Sequence, residues 1–465
     1  MDRSTIAAIA TPLGCGGIGI VKISGHHAYA IADTLFKPAK SDISGDNYHR
    51  KQSHRLYHGW IVDPGSNEIV DEVLLAFMRA PHSYTREDIV EIHAHSGIAV
   101  LNRILSLVLK NGTRLAEPGE FTKRAFLNGR IDLSQAEGVM DTIESKSHQA
   151  LQMAMAQISG AMHQKIQIIR QSLIDCLVQI ETAIDFIEDS DDQIIDDTLP
   201  EKLRKSVEGP LNELVAQYQR AHLFRDGIKM AVVGKPNVGK SSLLNWVIKM
   251  DRAIVTDIPG TTRDIIEESV TIKGIPIVVV DTAGLRNDGD SIEKIGIRKT
   301  RDCIENADLI LFMIDASRSP DGNDHRIFNQ IKDKKVLIIK NKMDLLTGAN
   351  EIPIPQEWKG RPVIGVSALK QTGIEALEEA IQRSVLQDNS TLDENPLVPN
   401  IRQKKAIENA KNATRRLINS LEKQIPLEMS AIDAREAIDA LGEITGETIQ
   451  DTIIDQIFSQ FCIGK

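Results

Sequence analysis

The sequence predicts a multidomain protein of the α+β and α/β classes, with one α/β domain inserted between two segments of a helical domain. Three observations support this prediction. Short apolar runs alternate with turns to about residue 120, and the apolar spacing then becomes helical. Strand and helix patterns alternate from about 225 to 388, and helical spacing returns afterwards. The predicted segments are 1–120, 121–224, 225–388 and 389–465, of which the second and fourth form one helical domain.

The composition favours a cytosolic protein without a membrane span. The 465 residues include four scattered cysteines without a CxxC pair, which indicates reduced thiols and not a disulfide or zinc site. No apolar run approaches the roughly 18 residues of a membrane helix. The net charge of −10 argues against a broadly basic nucleic-acid surface, although a local patch stays possible. One basic set, which a solvated helix face explains equally well, comprises Lys404, Lys405, Lys411, Arg415 and Arg416.

The N-terminal domain is predicted to combine strands with a helix. Apolar runs bounded by turns predict strands at 6–10, 19–23, 73–78 and 88–93, and helical spacing follows from Ile98 to Val108. His93 and His95 alternate along the last strand, so both could face one way. Two histidines alone are more often structural or solvated than metal ligands.

The first helical segment contains one long apolar stripe. Its members are spaced three or four residues apart, as one face of a helix requires: Ile166, Ile169, Leu173, Leu177, Ile180 and Ile184. An acidic run at 188–197 lacks the glycine and the final glutamate of an EF-hand, which favours a solvated connection over a calcium loop. Asn, Ser, Glu and two prolines at 388–399 predict a linker.

The inserted domain contains a phosphate-binding loop. Strands are predicted at 228–234, 275–281, 309–315, 336–340 and 363–366, which indicates a mostly parallel sheet covered on both faces. Residues 234–241 follow the first strand, precede a helical pattern and fit G-x-x-x-x-G-K-[ST]. Backbone N–H groups there are expected to surround phosphate oxygens, with Lys240 at the β- and γ-phosphates and the Ser241 hydroxyl on Mg²⁺.

Four further motifs predict that the nucleotide is GTP. They are Gly260-Thr261-Thr262-Arg263-Asp264, Asp281-Thr282-Ala283-Gly284, Asn341-Lys342-Met343-Asp344 and Ser367-Ala368-Leu369. Asp344 can accept hydrogen bonds from guanine N1–H and the 2-amino group, a donor pair that adenine lacks. Thr262 is expected to bind Mg²⁺, Asp281 at most through water, and the Gly284 N–H to sense the γ-phosphate. Ser367-Ala368-Leu369 is expected to close over guanine O6.

The position after Asp281-Thr282-Ala283-Gly284 departs from Ras-type GTPases. Those enzymes orient the attacking water with a glutamine at this point, but Leu285-Arg286 stand here. Another group must therefore orient the water and offset the developing negative charge.

Several features of the sequence resemble the MnmE (TrmE) family of tRNA modification GTPases, within the TrmE-Era-EngA-like class. They are Asn237 within the phosphate-binding loop and the segments Ala253-Ile254-Val255-Thr256-Asp257-Ile258, Gly16-Gly17-Ile18-Gly19-Ile20, Pro118-Gly119-Glu120-Phe121-Thr122 and Phe461-Cys462-Ile463-Gly464-Lys465. The resemblance extends over the whole chain. The C-terminal tail is its most specific part, because ribosome-assembly GTPases share the P-loop and switch features without that tail.

The resemblance implies a TrmE-type, Ras-like G domain with a potassium site. K⁺ would be coordinated by Asn237, Thr256, Ile258 and Thr261, beside the Mg²⁺ ligands Ser241, Thr262 and Asp281. Glu293, twelve residues after Asp281, would orient the catalytic water, and two G domains would meet across their switch regions. The implied GTP-binding set is Asn237, Val238, Gly239, Lys240, Ser241, Ser242, Thr256, Asp257, Ile258, Pro259, Gly260, Thr261, Asp281, Thr282, Ala283, Gly284, Asn341, Lys342, Asp344, Ser367, Ala368 and Leu369.

The resemblance also implies an N-terminal domain that binds a tetrahydrofolate derivative and forms a constitutive homodimer, with a fold similar to the glycine-cleavage T-protein. The implied folate contacts are Lys22, Glu91, Arg130 and Lys465. Lys22 stands where the family pattern has Arg, and Arg130 where it has Lys, which keeps the charge but changes the hydrogen-bond geometry. Cys462 has no adjacent histidine, so it belongs to the tail without an assigned catalytic role.

The implied activity is K⁺-dependent GTP hydrolysis coupled to modification of the wobble uridine U34 of certain tRNAs. An FAD-containing partner, MnmG (GidA), would join it in an α2β2 heterotetramer and make much of the tRNA contact. The group installed at C5 would be carboxymethylaminomethyl or aminomethyl, with its one-carbon unit from 5-formyl- or methylene-tetrahydrofolate. Two alternatives are a ribosome-assembly GTPase switch and a non-catalytic folate-sensing interaction protein. The first predicts a basic RNA-binding module, and intact Lys240, Ser241, Asp281 and Asp344 argue against the second.

Overall fold

The computed structural model describes residues 4–14, 16–39, 52–185, 196–251, 268–280, 304–346, 352–385 and 397–464. The strands in these residues are β1 Ile6–Ile9, β2 Ile18–Ser24, β3 Phe36–Pro38, β4 Arg55–Val62, β5 Ile69–Met78, β6 Ile89–His95, β7 Arg114–Leu115, β8 Ile228–Val233, β9 Glu268–Ile272, β10 Ile275–Val280, β11 Leu309–Asp315, β12 Val336–Asn341 and β13 Val363–Gly365. The helices are α1 Ala28–Leu35, α2 Ile98–Lys110, α3 Glu120–Leu127, α4 Leu133–Glu144, α5 His148–Ile158, α6 Ala161–Asp185, α7 Leu199–Leu203, α8 Gly209–Asp226, α9 Lys240–Asp251, α10 Gly322–Ile331, α11 Ile374–Val385, α12 Ile401–Glu422, α13 Leu427–Thr445 and α14 Asp451–Ser459.

The N-terminal sheet has the strand order β3-β4-β5-β6-β2-β1-β7. Its neighbours are antiparallel except β1 and β7, which pair in parallel. Alternation along β2 buries Val21 and Ile23 against α2, and Lys22 between them points to the other face. Because Lys22 lies opposite Glu91 of β6 in the register, the two predicted ligands share that face.

The helical unit is built from both predicted segments. Helices α6, α7 and α8 share one hydrophobic core with α12 and α13. The predicted stripe on α6 enters this core, with Ile166, Ile169, Leu173 and Ile180 at 0–1% exposure. An Asn400–Gln403 capping box begins α12, which satisfies N–H groups at the start of the second segment.

The inserted sheet has the order β13-β12-β11-β8-β10-β9. All neighbours are parallel except the edge pair β9 and β10, and hydrophobic clusters cover both faces. This arrangement confirms the predicted fold class of α+β, helical and mostly parallel α/β parts.

The sequence patterns missed several strands, including the antiparallel edge strand β9. Lys273 and Gly274 connect β9 to β10 with φ of +50° and +85°, the left-handed pair that a tight hairpin turn needs. A Cβ at Gly274 would lie 2.5 Å from the Gln149 amide nitrogen, so the turn also packs closely on α5. Strands β3, β4 and β7 were missed as well, because they are short or interrupted by His and Gly.

The last helix returns to the N-terminal half of the chain. Ile454 and Phe458 of α14, with Phe461, pack against Leu133 and Ala136 of α4. The Gly119 N–H donates a 3.3 Å hydrogen bond to the Cys462 carbonyl, which brings the C-terminal tail to the start of α3. The exact domain limits at 120, 224 and 388 stay predictions. Among helices in the described part of the chain, none combines the length and apolarity needed to cross a membrane.

Candidate functional site

The phosphate-binding loop lies between β8 and α9, as its sequence predicts. Asn237 and Gly239 adopt φ of +64° and +98°, which turns the loop back toward the start of the helix. Lys240, the first residue of α9, donates 2.8 Å hydrogen bonds to the carbonyl oxygens of Gly234 and Lys235. Ser241 and Ser242 are exposed in the first helical turn. The loop therefore surrounds an ammonium group at a helix N-terminus, an arrangement suited to phosphate.

A second lysine fixes the outer side of this loop. The Lys235 ammonium lies 2.7 Å from carboxylate oxygens of both Asp321 and Asp324 at the start of α10. Burial alone would lower the pKa of Lys235, but hydrogen bonds to these two carboxylates raise it above its usual value. Because its charge is matched by two acids, Lys235 holds the loop in place and leaves Lys240 as the cation inside it. Its anchoring role was not visible in the motif.

Asn341 joins three of the predicted motifs. Its side chain is buried at the end of β12 and donates a 2.7 Å hydrogen bond to the Val238 carbonyl of the phosphate loop. Its side-chain oxygen accepts a 3.0 Å hydrogen bond from the Ala368 N–H. The phosphate loop, the Asn341-Lys342-Met343-Asp344 segment and the Ser367-Ala368-Leu369 segment are therefore brought to one edge of the sheet.

Asp344 lies on the exposed side of this edge and is held by the buried Ser367. The Ser367 hydroxyl donates a 2.5 Å hydrogen bond to one carboxylate oxygen of Asp344 and accepts one from the Lys370 N–H at 3.1 Å. This leaves acceptor positions on the carboxylate for the two donors of a guanine edge. Leu369 is 80% exposed beside them.

Lys342 follows Asn341 with a left-handed backbone, φ +67°. Its ammonium lies 2.7 Å from Oδ2 of Asp315, which ends the neighbouring strand β11. Burial would raise the pKa of Asp315, but hydrogen bonds from Lys342 and Ser317 hold it at about 2, so the carboxylate is charged at neutral pH. Asp315 was missed from sequence, although an acid at the carboxyl end of a parallel strand was a usable signal.

Several predicted site residues lie outside the described residues, and their roles stay predictions. They are Thr256, Asp257, Ile258, Pro259, Gly260, Thr261, Thr262, Asp281, Thr282, Ala283, Gly284, Glu293 and Lys465.

A second group of predicted residues meets on the N-terminal sheet, around Tyr84. The Lys22 ammonium lies 3.6 Å from Glu91 and 5.5 Å from the centroid of the Tyr84 ring. The Arg130 guanidinium lies 4.7 Å from the same centroid on its cation–π face. Burial raises the pKa of Tyr84, whose hydroxyl pairs with Thr122 at 3.0 Å. The family resemblance implied the three charged residues but not the aromatic ring between them.

Near its end, at Gly464, the described C-terminal tail contacts β1. A Cβ on Gly464 would lie 2.5 Å from the Ile9 carbonyl oxygen of β1, so the tail backbone touches the strand that pairs with β2. The side chain of Cys462 is exposed. The tail therefore lies close to the strand that carries Lys22.

The two histidines of β6 bind carboxylates instead of each other. His93 Nε2 lies 3.3 Å from Glu91, and His95 Nδ1 lies 2.8 Å from Asp71. Across the described residues, no group of three or more His, Cys, Asp or Glu side chains is arranged to hold a metal ion.

Both arginines of the basic set on α12 are paired with carboxylates. Arg415 pairs with Glu208 at 2.6 Å, and Arg416 pairs with Asp433 at 2.8 Å and Glu436 at 2.6 Å. Lys404 lies 4.8 Å from the ring centroid of Tyr218. These contacts favour a paired, solvated helix face over an open nucleic-acid patch.

The chain is similar to proteins of known name over its whole length. A family model described as the N-terminus of the GTP-binding protein TrmE matches residues 5–130, and one described as the MnmE helical domain matches 133–462. The chain is 45% identical over 463 residues to a tRNA modification GTPase MnmE of Acetivibrio thermocellus, covering 100% of this chain and 99% of the relative. It is 46% identical over 466 residues to one of Thermoanaerobacter pseudethanolicus, covering 100% of each. A solved structure of Aquifex aeolicus Era bound to GDP and AlF4⁻ is 27% identical, with a TM-score of 0.27, over 40% of this chain and 66% of that one.

Proposed function

This chain belongs to the family of the tRNA modification GTPase MnmE, and from this premise we propose that it hydrolyses GTP to GDP during the modification of tRNA. One observation supports the nucleotide role above the others. Asn341 bonds both to Val238 of the phosphate loop and to Ala368 of the segment expected at guanine O6. A single buried side chain thus sets the phosphate and base segments relative to one another, as a purine nucleotide site requires.

The described side chains have separate proposed roles. Lys240 exchanges its bonds to two loop carbonyls for the β- and γ-phosphates when nucleotide binds. Asp344, held by Ser367, accepts the two guanine donors and excludes adenine. The exposed hydroxyl of Ser241 is assigned to Mg²⁺, with Thr262 and Asp281 as the other proposed ligands.

For the hydrolysis step we propose a potassium site formed by Asn237, Thr256, Ile258 and Thr261. Asn237 is exposed at the tip of the loop, which leaves its side chain accessible to a cation. K⁺ supplies positive charge against the negative charge that grows in the transition state. Glu293 orients the attacking water, because no glutamine follows the Asp281-Thr282-Ala283-Gly284 motif.

For the modification step we propose that the group around Tyr84 binds a tetrahydrofolate derivative. A carboxylate such as Glu91 suits the amino edge of a pterin, and Lys22 and Arg130 suit carboxylates of its glutamate tail. The bound folate, 5-formyl or methylene, supplies the one-carbon unit. Lys465 is proposed as a further contact, because the preceding Gly464 contacts Ile9 of β1, the strand that pairs with β2.

The proposed product is a 5-carboxymethylaminomethyl or aminomethyl group on U34 of certain tRNAs, made with the FAD-containing partner MnmG. We propose a homodimer of this chain within an α2β2 heterotetramer in the cytoplasm. The net charge of −10 and the ion pairs of Arg415 and Arg416 support a tRNA contact that lies largely on the partner.

The GTPase proposal is tested by GTP turnover in KCl and in NaCl at matched ionic strength. Wild type is compared with Glu293→Ala and with Glu379→Ala, a control on the exposed face of α11. We expect wild type to hydrolyse GTP in KCl and much more slowly in NaCl. Glu293→Ala is expected to lose turnover, and the Glu379→Ala control is expected to keep the wild-type rate. Turnover absent from both salts contradicts the GTPase function, whereas equal turnover in the two salts contradicts only the potassium site.

The folate proposal has its own test. Equilibrium binding of 5-formyltetrahydrofolate is measured by calorimetry for wild type, Glu91→Gln and Glu72→Gln, the last an exposed carboxylate on β5. We expect weaker binding only in Glu91→Gln, with GTP turnover unchanged in all three. Equal binding in the three proteins contradicts the assignment of Glu91.

A further inference from the structure

The described contacts give Lys342 a partner that none of the nucleotide motifs contains. Asp315 ends β11 directly opposite Asn341 of β12 in the strand register. Its Oδ2 lies 2.7 Å from the Lys342 ammonium, and its Oδ1 accepts hydrogen bonds from the Ser317 N–H at 3.0 Å and the Ser317 hydroxyl at 2.6 Å. The Asp315 side chain is only 6% exposed. The hydrogen bonds from Ser317 therefore hold the carboxylate in place independently of the lysine.

The lysine needs such a partner. A lysine side chain has four rotatable methylene groups, and it loses much rotamer freedom when it is held in one conformation. The Lys342 backbone is already in the left-handed region, where a non-glycine residue is uncommon. Its neighbours Asn341 and Asp344 are tied to Val238 and Ser367. The Asp315 contact thus orders a side chain that lies between two residues that are themselves fixed.

We propose that Asp315 is a positioning residue for guanine nucleotide recognition: it orders Lys342 before nucleotide binds, so that the aliphatic stem of the lysine forms one wall of the base site. The stem is suited to this because lysine methylene groups pack on flat apolar surfaces while the ammonium stays paired. Ordering the wall in advance lowers the cost of binding. This inference rests on the proposed GTP binding.

A purely structural role of Asp315 would have a different effect on nucleotide affinity. Arg318 also approaches the carboxylate, with Nε at 3.5 Å, but it is 54% exposed and lies on the outer side. If the carboxylate only stabilised the β11 turn, its loss would reduce stability without a specific effect on nucleotide. If it acts through Lys342, the two residues are coupled in nucleotide affinity.

The experiment uses the full chain and GDP with a fluorescent ribose label. Asp315→Asn keeps the volume and can still accept from Ser317, but it presents no negative charge to Lys342. We expect about tenfold weaker GDP binding and a matching rise in KM for GTP, with kcat within about twofold, because a hydrogen bond between charged groups is lost. Arg318→Ala, the control that removes the exposed contact, is expected to bind GDP as wild type does.

A double-mutant cycle decides whether the effect passes through the lysine. In a Lys342→Met background, Asp315→Asn is expected to cause no further loss of GDP affinity. If Asp315→Asn does not fold, Asp315→Glu, which keeps the charge but shifts it, is expected to give a smaller change of the same kind. Unchanged GDP affinity in a folded Asp315 variant, or fully additive effects in the cycle, overturns the inference. Failure of wild type to bind GDP is a separate result, which removes the proposed function and this inference with it.

Discussion

The side-chain nitrogen of Asn341 lies 2.7 Å from the carbonyl oxygen of Val238, and the next residue of the phosphate loop is Gly239. A Cβ at position 239 would lie 2.2 Å from that same nitrogen. The glycine thus has two reasons to be there: its φ of +98°, and the space that the asparagine amide fills. Gly239 of the phosphate-loop pattern and Asn341 of the base-recognition pattern therefore pack directly against each other in this protein.

Gly239→Ala is therefore expected to lower GDP affinity by at least about 100-fold. The added methyl would need the Asn341 amide to move and the backbone to remain left-handed, each costing on the order of 1–3 kcal/mol. Fluorescence titration with labelled GDP measures the effect. Gly322→Ala is the matched control, since a Cβ there meets no atom within 4 Å. Normal GDP affinity in Gly239→Ala would show that the loop tolerates this contact.

Asn341→Ala tests the other half of the same contact. The substitution leaves the Val238 carbonyl and the Ala368 N–H without their buried partner. Because an unsatisfied buried polar group costs about 1–3 kcal/mol, we expect GDP affinity to fall by about 10- to 100-fold. Asn323→Ala, on the exposed start of α10, is the control. Equal affinities for the two variants would mean that the phosphate and base segments are held together by other contacts.

Sequence patterns predicted the local parts of this site and not their connections. The phosphate loop was predictable because its glycines, lysine and serine act within eight consecutive residues. The bond from Asn341 to Val238 spans 103 positions and depends on the order of β8, β11 and β12, which periodicity does not determine. Tyr84 was missed for a similar reason. Its ring meets Lys22 and Arg130 only after the N-terminal sheet and α3 have packed.

The fold class was predictable because strand and helix periods change sharply along the chain. The antiparallel strand β9 was missed because a half-polar edge strand, Glu-Ser-Val-Thr-Ile, has no continuous apolar run. The contact between the C-terminal tail and β1 also could not be predicted from sequence patterns. It depends on Phe458 and Phe461 packing beside α4, a contact between residues more than 300 positions apart.

The two cysteines in the described residues are expected to differ sharply in reactivity. Cys176 is buried in the helical core, and burial raises the pKa of its thiol to about 12, whereas Cys462 is exposed. A raised pKa means that the reactive thiolate forms only above about pH 12, so at pH 8 Cys176 stays protonated as well as inaccessible. We expect iodoacetamide to modify Cys462 and to spare Cys176 until denaturant is added. Peptide mass spectrometry measures both in a Cys15→Ser, Cys303→Ser chain, and early modification of Cys176 would contradict its packing.

The final prediction concerns Glu120, which is 7% exposed and accepts hydrogen bonds from Nη1 and Nη2 of Arg114 at 2.8 and 2.6 Å. Burial alone would raise the pKa of Glu120, but hydrogen bonds from Arg114, the Glu117 N–H and Arg124 lower it below its usual value. A lowered pKa stabilises the folded state above the unfolded-state pKa of about 4.3, and this stability is lost as pH falls through the folded-state pKa.

Glu120→Gln should therefore destabilise the N-terminal sheet by about 1–3 kcal/mol at pH 7, because a buried charge pair is broken. The difference from wild type should shrink as pH falls below about 4.3, because the unfolded state then binds a proton at Glu120 that the folded state takes up only at lower pH. Hydrogen exchange of peptides from β1 and α3, corrected for intrinsic rates, gives the free energy of opening at each pH. Glu117→Gln, an exposed neighbour whose side chain is outside this network, should match wild type throughout. A difference between Glu120→Gln and wild type that stays constant down to pH 3 would show that the charge of Glu120 is not what stabilises the sheet.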